Sequence, residues 1–401
     1  ANGTVAVGYQ AGSALTEAQG ATMVGYQAGA ALTTGDYNTM VGYQAGDGIT
    51  TGNDNTMLGW GAGGATGNIA STNNTMIGSN AGISSLKNGN TYVGYRSGAT
   101  NKAGTENVFV GNQAGFDPYG NRYSGSYSTI IGSYAGYYTG GDKNVLLGSY
   151  AGHHSTGSYN TFVGHTAGYG SSGAPYSSGQ YNVAMGHQAL TAFTTGNYNT
   201  AIGYNAGDAE TSGNTNIAIG TDALDGQISG NDSIGIGNHA AANINASNII
   251  GIGAYAAHNG YGTGTTAIGF YSGYYSQTAG NTFVGYESGK GTGAAGYGSS
   301  TGVGYQSLLG LTTGDDNTAI GYLAGKSLEG GGANTIVGSY AGDGTTGVDQ
   351  TVLIGFFAGS GALTSDADGT IAIGYEAGKA ITSAQKSTLL GYQAGKDITT
   401  G

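Results

Sequence analysis

Cysteine is absent, proline occurs twice and tryptophan once in 401 residues. Without thiols there is no disulfide framework and no thiolate metal site. Two prolines cannot sustain polyproline winding, and the Gly-X-Y period of collagen is missing. Charge is scarce as well: Asp, Glu, Lys and Arg make up 8% of the chain, against about 25% in ordinary soluble domains. Ten basic residues stand against 22 acidic ones, a net charge of −12. That balance disfavours nucleic acid and anionic membranes as partners. No run of 18 apolar residues marks a membrane-spanning helix, so no membrane insertion is expected. A charged catalytic cleft is equally hard to assemble, and the chain is not expected to be an enzyme.

Glycine is in excess, with 84 residues, or about 21% against the usual ~7%. Disorder does not account for it, because 38% of the chain is hydrophobic and regularly placed. A block reading Asn-Thr-apolar-apolar-Gly-aromatic-polar-Ala-Gly recurs throughout, and its first glycine anchors each copy. The 23 anchors include Gly8, Gly25, Gly42, Gly203, Gly321 and Gly391, at a mean step of about 17.4 residues. The longest steps, 21 residues after Gly111 and 22 after Gly164, predict loop insertions near 116–128 and 169–181. The repeat makes residues 1–401 one continuous domain.

The columns of the repeat define the fold. Val, Ile, Leu or Met precedes every anchor, and Ala or Ser stands three residues after it. Gly occupies the fourth position after in 18 copies, and Asn the fourth before in 13. A second apolar column lies seven residues after the anchor, including Leu15, Leu32, Ile49, Phe193, Leu311, Leu328, Ile381 and Ile398. Repeated glycines would cost a helix about 1 kcal/mol each. Short β-branched runs bounded by Gly, Asn and Asp are strand signals. One strong and one weaker strand per repeat predict an all-β parallel β-solenoid, or β-roll, of about 23 coils. Stacked at about 4.8 Å, these coils would make a rod on the order of 110 Å long.

Strict alternation along Thr39-Met40-Val41-Gly42-Tyr43-Gln44-Ala45 puts Val41 and Ala45 on one face, the expected coil interior. Met40 and Gly42 fall on the other face, whose Met40 column is also apolar. A strand apolar on both faces is usually covered on both. Either the solenoid's own loops cover that side, or three chains meet on an axis lined by these two columns. The Asn column reads most simply as a ladder of stacked amides. Tyr follows the anchor in ten copies, among them Tyr9, Tyr26, Tyr43, Tyr204 and Tyr392. This stripe serves either to stack coil on coil or to contact a surface or sugar.

Signals for chemistry are sparse. No catalytic, cofactor-binding or metal site is expected, and no nucleophile elbow, phosphate loop or metalloprotease motif stands out. His153-His154 has no spaced third ligand and reads as a solvated loop. Asp36, Asp315, Asp316 and Glu287 read as solubilising turn charges. Asn2, Asn73, Asn231 and Asn245 begin glycosylation sequons that matter only on a secreted chain.

The block Asn-Thr-Ala-Ile-Gly-Tyr-Asn-Ala-Gly at 199–207 resembles the head repeats of YadA-type trimeric autotransporter adhesins, as do residues 4–8 and 370–374. The longer string Thr-Thr-Gly-x-x-Asn-Thr-x-x-Gly-Tyr-x-Ala-Gly, at 33–46, 194–207 and 312–325, is similar to repeats of bacterial and phage tail-fiber-domain proteins. The resemblance covers essentially the whole chain. It implies a left-handed β-roll in a homotrimer, displayed outside the cell. The step here is longer than that of YadA-type heads, and the sequence holds no stalk, barrel anchor or self-cleaving chaperone.

An extracellular structural and adhesive fibre is therefore the first expectation, on a cell surface or as a virion appendage. Its partners would be copies of itself, as a homotrimer or head-to-tail polymer, and surface glycans. The alternatives are an ice-binding solenoid, although Thr33-Thr34-type pairs recur in only some coils, or a phage tail fibre or tailspike recognising surface glycans. A tailspike-like glycan hydrolase would need paired carboxylates in one groove, and none is evident. The chain stops at Thr400-Gly401, where another strand is due, so the expectation is a window of a longer fibre or head-to-tail stacking.

Overall fold

A computed structural model of the chain describes residues 3–64, 69–85, 87–119, 125–173, 176–260, 262–293 and 296–400. Two compact units divide it, Ala1–Ile202 and Gly203–Gly401, and each is a parallel β-solenoid. The first holds twelve strands, from β1 (Val5–Val7) to β12 (Thr200–Ile202). The second holds eleven, from β13 (Ile217–Ile219) to β23 (Thr388–Leu390). Every strand is three residues long and pairs in parallel with its neighbours in chain order within its unit. No α-helix occurs among the described residues, only a 3-10 turn at Ser365–Ala367. No helix is long and apolar enough to cross a membrane.

Equal repeat positions pair with one another, so Thr22 faces Thr39 and Val24 faces Val41. The long steps do not disturb this register. Val108 still pairs with Thr129, and Thr161 with Val183, while residues 120–124 and 174–175 of the expected insertions lie outside the described residues.

Burial reverses the expected faces. The middle residue of each strand points inward: Met23, Met40, Met57, Met76, Tyr92 and Phe109 are all buried. Val41 instead lies half-exposed on the outside, and Leu58 and Ile77 are exposed. Ala45, grouped with Val41 by alternation, is nonetheless buried. The backbone explains the difference. Gly42 has φ 140° and Gln44 φ 53°, which ends the strand and turns the third residue after the anchor inward. Both positive-φ positions recur in every copy, the second carried by Gln10, Gln27, Asn80, Arg96 and other non-glycine residues in all copies but one, which has Gly61. The Met40 column, buried inside its own chain, cannot line an axis between chains.

The second strand is not formed. Leu32, Ile49, Phe193, Leu311, Leu328 and Ile381 do fill the core. Their segments, however, join by single backbone bonds such as Thr33 N–H to Thr50 O (2.8 Å), or by isolated bridges such as Ile49 with Ile69. The Thr-Thr-Gly turns beside them interrupt the extended run.

Two contacts set the coil-to-coil fit. A Cβ placed on Gly42 would lie 2.3 Å from the carbonyl oxygen of Gly59, and the same clash recurs at Gly8, Gly25 and Gly321. The second contact is a ladder of buried amides. Asn38 Oδ1 accepts from the Asn55 backbone N–H (3.0 Å) and from Asn55 Nδ2 (3.0 Å). Asn55 Nδ2 also donates to the Ser71 carbonyl (2.9 Å), while Asn55 Oδ1 accepts from the Asn74 N–H (3.1 Å). The Asn55 amide thus joins three successive coils, with its buried donor and acceptor both satisfied. Where Asn is replaced, a serine hydroxyl stands in: Ser128 Oγ accepts from the Asn144 N–H (3.1 Å).

Gly42→Ala is expected to lower stability by at least the roughly 1–3 kcal/mol of forbidden backbone strain. Gly173→Ala, where neither φ nor a neighbouring atom opposes a Cβ, should leave it unchanged. Denaturant unfolding of both variants checks the contrast, and equal losses would refute this role for the anchor.

Candidate functional site

The strands present an ordered outer surface. In the first unit the first strand positions Thr22, Thr39, Thr56, Thr75 and Thr91 stand half-exposed in successive coils. The second unit repeats the row with Thr266, Thr282, Thr301, Thr318 and Thr335. Two residues along each strand, on the same face, runs the aliphatic column of Val24, Val41, Leu58 and Ile77. This continuous Thr-x-aliphatic array was not recognised in the sequence. The Thr33-Thr34 pair lies in the turn, outside this array. The strand-initial Thr of the Asn-Thr block was the available signal.

Beside the array runs the aromatic stripe. Tyr9, Tyr26, Tyr43, Tyr204 and Tyr392 are all exposed. Tyr9 stacks on Tyr26 with ring centroids 5.2 Å apart, Tyr26 on Tyr43 at 4.9 Å, and Tyr43 leads to Trp60 at 6.3 Å. In the second unit Tyr286, Tyr305 and Tyr322 continue at 5.1 and 5.2 Å, and Tyr375 stacks on Tyr392 at 5.1 Å. The rings sit one per coil because Gly42 and its equivalents put the following residue at the same corner each time. They stack coil on coil and remain exposed.

The turn acids do more than solubilise. Asp36 Oδ1 accepts from the Gln19 N–H (2.7 Å), and Asp315 Oδ1 from the Gly298 N–H (2.6 Å), each reaching the preceding coil. Asp316 is exposed, with φ 58°. Glu287 is held below the usual carboxylate range by Lys290 (2.7 Å) and Gln306 (2.7 Å), against the opposing effect of burial. Of the sequon residues, Asn73 and Asn245 are exposed and Asn231 is half-exposed. Asn231 Oδ1 accepts from the Asn214 N–H (2.8 Å), and Asn245 Oδ1 from the Ser229 N–H (3.0 Å). Asn2 lies outside the described residues.

His153-His154 is not a solvated loop. Both rings are buried in aromatic stacks at the fifth and sixth residues after their anchor. His153 lies between Tyr137 (5.1 Å) and Tyr169 (5.0 Å), and His154 between Tyr138 (4.9 Å) and Tyr176 (5.2 Å). Tyr137-Tyr138, one coil earlier at the same step, was the signal in the sequence. Burial, and then His154 beside it, hold the His153 imidazole down to about 3. Burial also lowers His154.

In the second unit the fold brings together carboxyls that the sequence left apart. Asp208 is raised by burial and by its hydrogen bond to Asp225. Carboxyls in direct hydrogen bond are closer than glycosidase pairs, which stand about 5 Å apart or more. Glu210, buried and accepting from Asn216 Nδ2, is pushed up to about 8 by burial. Among the described residues, no three His, Cys, Asp or Glu side chains form a set able to hold a metal ion. No family model matches the chain, and no curated protein matches it.

The two buried groups give opposite pH dependences. His153, depressed from 6.5 to about 3, contributes stability that is present above 6.5 and lost as pH falls toward 3. Glu210, raised from 4.5 to about 8, contributes stability that is present below 4.5 and lost as pH rises toward 8. His153→Phe keeps the stack and should raise the melting temperature at pH 4 relative to wild type. The gain should reach the roughly 2–4 °C that 1 kcal/mol is worth at this size, with little change at pH 7.5. Thermal melts at the two pH values check it.

Proposed function

We propose that this chain is a structural and adhesive fibre protein working outside a cell, on a cell surface or as a virion appendage. The observation that carries the reading is the outer face of each unit. An aliphatic column with one member per coil runs there beside rows of threonines and stacked aromatics that span runs of successive coils, with little charge. A regular exposed apolar surface of this kind marks an interaction site. The aliphatic column is the side on which copies of the chain meet, and the stacked aromatic rail is the side left for a surface or a surface glycan. Homotrimeric assembly and left-handed winding follow from the resemblance to YadA-type heads, with the axis moved from the Met40 column to the Val41 column. Polymer formation would use the same lateral face.

Electron microscopy of the purified protein is expected to show rods, and mass photometry a trimer. Val41→Lys with Leu58→Lys should return the trimer to monomers. Tyr26→Ser with Tyr43→Ser should weaken attachment to glycan-coated surfaces several-fold while leaving the trimer intact. A compact particle that stays monomeric at every concentration would sink the proposal.

The threonine rows favour a second reading, an ice-binding surface. In-register strands repeat methyl and hydroxyl groups about every 4.8 Å along the row, a spacing that can order water. Thermal hysteresis with shaped ice crystals, abolished by Thr39→Lys with Thr56→Lys, would select this reading over the adhesive one.

A further inference from the structure

Where the repeat is broken by the insertion after Gly111, the first unit holds a cavity of about 380 Å³. That volume lies within the range of small-ligand pockets, about 300–1,000 Å³. Four successive coils build it. Asn80 and Arg96 come from the second residue after their anchors, the left-handed position at φ 58° and 53° that sends both side chains to one corner. Ser84 and Thr100 add hydroxyls from the sixth position, and Phe116 and Tyr137 supply rings from the fifth. The two rings lie 5.5 Å apart and tilted by 58°, forming an aromatic wall.

Arg96 is the unusual member. Its guanidinium packs over the Tyr95 ring at 5.4 Å and the Phe116 ring at 5.6 Å, and it forms no ion pair with a described carboxylate. Lys290, Lys379 and Lys396, by contrast, are each paired with a glutamate. A guanidinium held over aromatic faces keeps its own planar fork of donors available for bidentate contact with a carboxylate. Asn80 is nine-tenths buried on the same wall, and its Oδ1 has no hydrogen-bond partner. A buried polar atom left unmatched needs an explanation, and a ligand hydroxyl supplies one after the amide turns about χ2.

We infer that this cavity is a subsite for one carboxylated sugar residue of a polysaccharide. The sugar's apolar face lies on Phe116 and Tyr137, its carboxylate on Arg96 and its hydroxyls against Asn80 and Ser84. The net charge of −12 does not forbid an anionic ligand, because charges beyond about 8 Å are screened at physiological salt. The inference rests on the adhesive reading and narrows it to uronate-bearing glycans.

The test is calorimetric titration of the full chain with galacturonate and glucuronate oligomers, their neutral counterparts and sulfated oligosaccharides. Uronate oligomers are expected to bind at least tenfold more tightly than neutral ones. Arg96→Gln should abolish that preference with an unchanged melting temperature, because Gln already occupies this backbone position at Gln10, Gln27 and Gln44. Phe116→Leu should weaken binding, and Tyr198→Ser, at an exposed turn outside the cavity, should not. Equal binding of neutral oligomers, preference for the sulfated probe, or uronate binding that survives Arg96→Gln overturns the subsite. Rods without uronate binding retire the subsite and leave the fibre intact. Uronate binding without rods does the reverse.

Discussion

The carbonyl oxygen of each anchor glycine lies where the preceding coil's anchor would carry a Cβ, and the rest of the coil is arranged around that contact. At Gly25 the distance would be 2.3 Å, and at Gly203 2.5 Å. With φ between 123° and 142° in all 23 copies, no other residue fits. The glycine ends the strand after three residues, and the left-handed residue two positions later folds the chain back. Ala45 and its equivalents then reach the core, where only a small side chain fits beside Met40. Close stacking of the anchors brings the amides of Asn38, Asn55 and Asn74 within hydrogen-bond distance. It also sets the Tyr9, Tyr26 and Tyr43 rings about one coil rise apart. Of the 84 glycines, 41 stand in the two columns that make this possible.

Ion pairs contribute little to such a chain. Lys290–Glu287, Lys379–Glu376 and Lys396–Glu376 are partly exposed, and pairs of this kind are worth about 0–1 kcal/mol. Cohesion comes from neighbour-to-neighbour terms repeated at each step: a buried middle residue, an amide rung, a ring stack. In a quasi-one-dimensional solenoid these terms add along the chain. A defect in one coil therefore weakens its two interfaces and leaves distant coils intact. The His153–Tyr169 stack is such a local term, with a pH dependence the rest of the chain does not share.

The period, the strand and the amide ladder were legible because each is a column property, and a column averages over 23 copies. Facing was not legible. Alternation holds only while φ is negative, and Gln10, Gln44 and Arg96 carry no sign in their chemistry that they sit at φ near 53°. The inversion of Val41 and Met40 followed directly. The second apolar column was visible as buried positions, but backbone pairing depends on the turn beside it, and Thr33-Thr34-Gly35 does not extend. Side chains that meet across coils were legible only where equal steps were compared. Tyr137-Tyr138 predicts the setting of His153-His154 once both are counted from their anchors, and Asp208 and Asp225, each five residues after its anchor, meet across adjoining coils in the same way.

Regular and irregular parts of the repeat hold different kinds of functional information. A surface that repeats every coil, such as the Thr and Tyr rows, can recognise only something that is itself extended or periodic: another copy, a polymer, a lattice. Its affinity grows by the number of coils engaged, as linked weak contacts do. A single discrete ligand needs a place that differs from its neighbours. In the first unit that place is the corner where Arg96 replaces the glutamine of Gln10, Gln27 and Gln44, and where the insertion brings in Phe116 and Pro118. The repeat supplies a rigid corner with a fixed side-chain direction, and the exception to the repeat supplies the chemistry. Departures from a repeat that do not disturb strand register, as Val108 with Thr129 shows, are therefore where selectivity can be added to a solenoid at little structural cost.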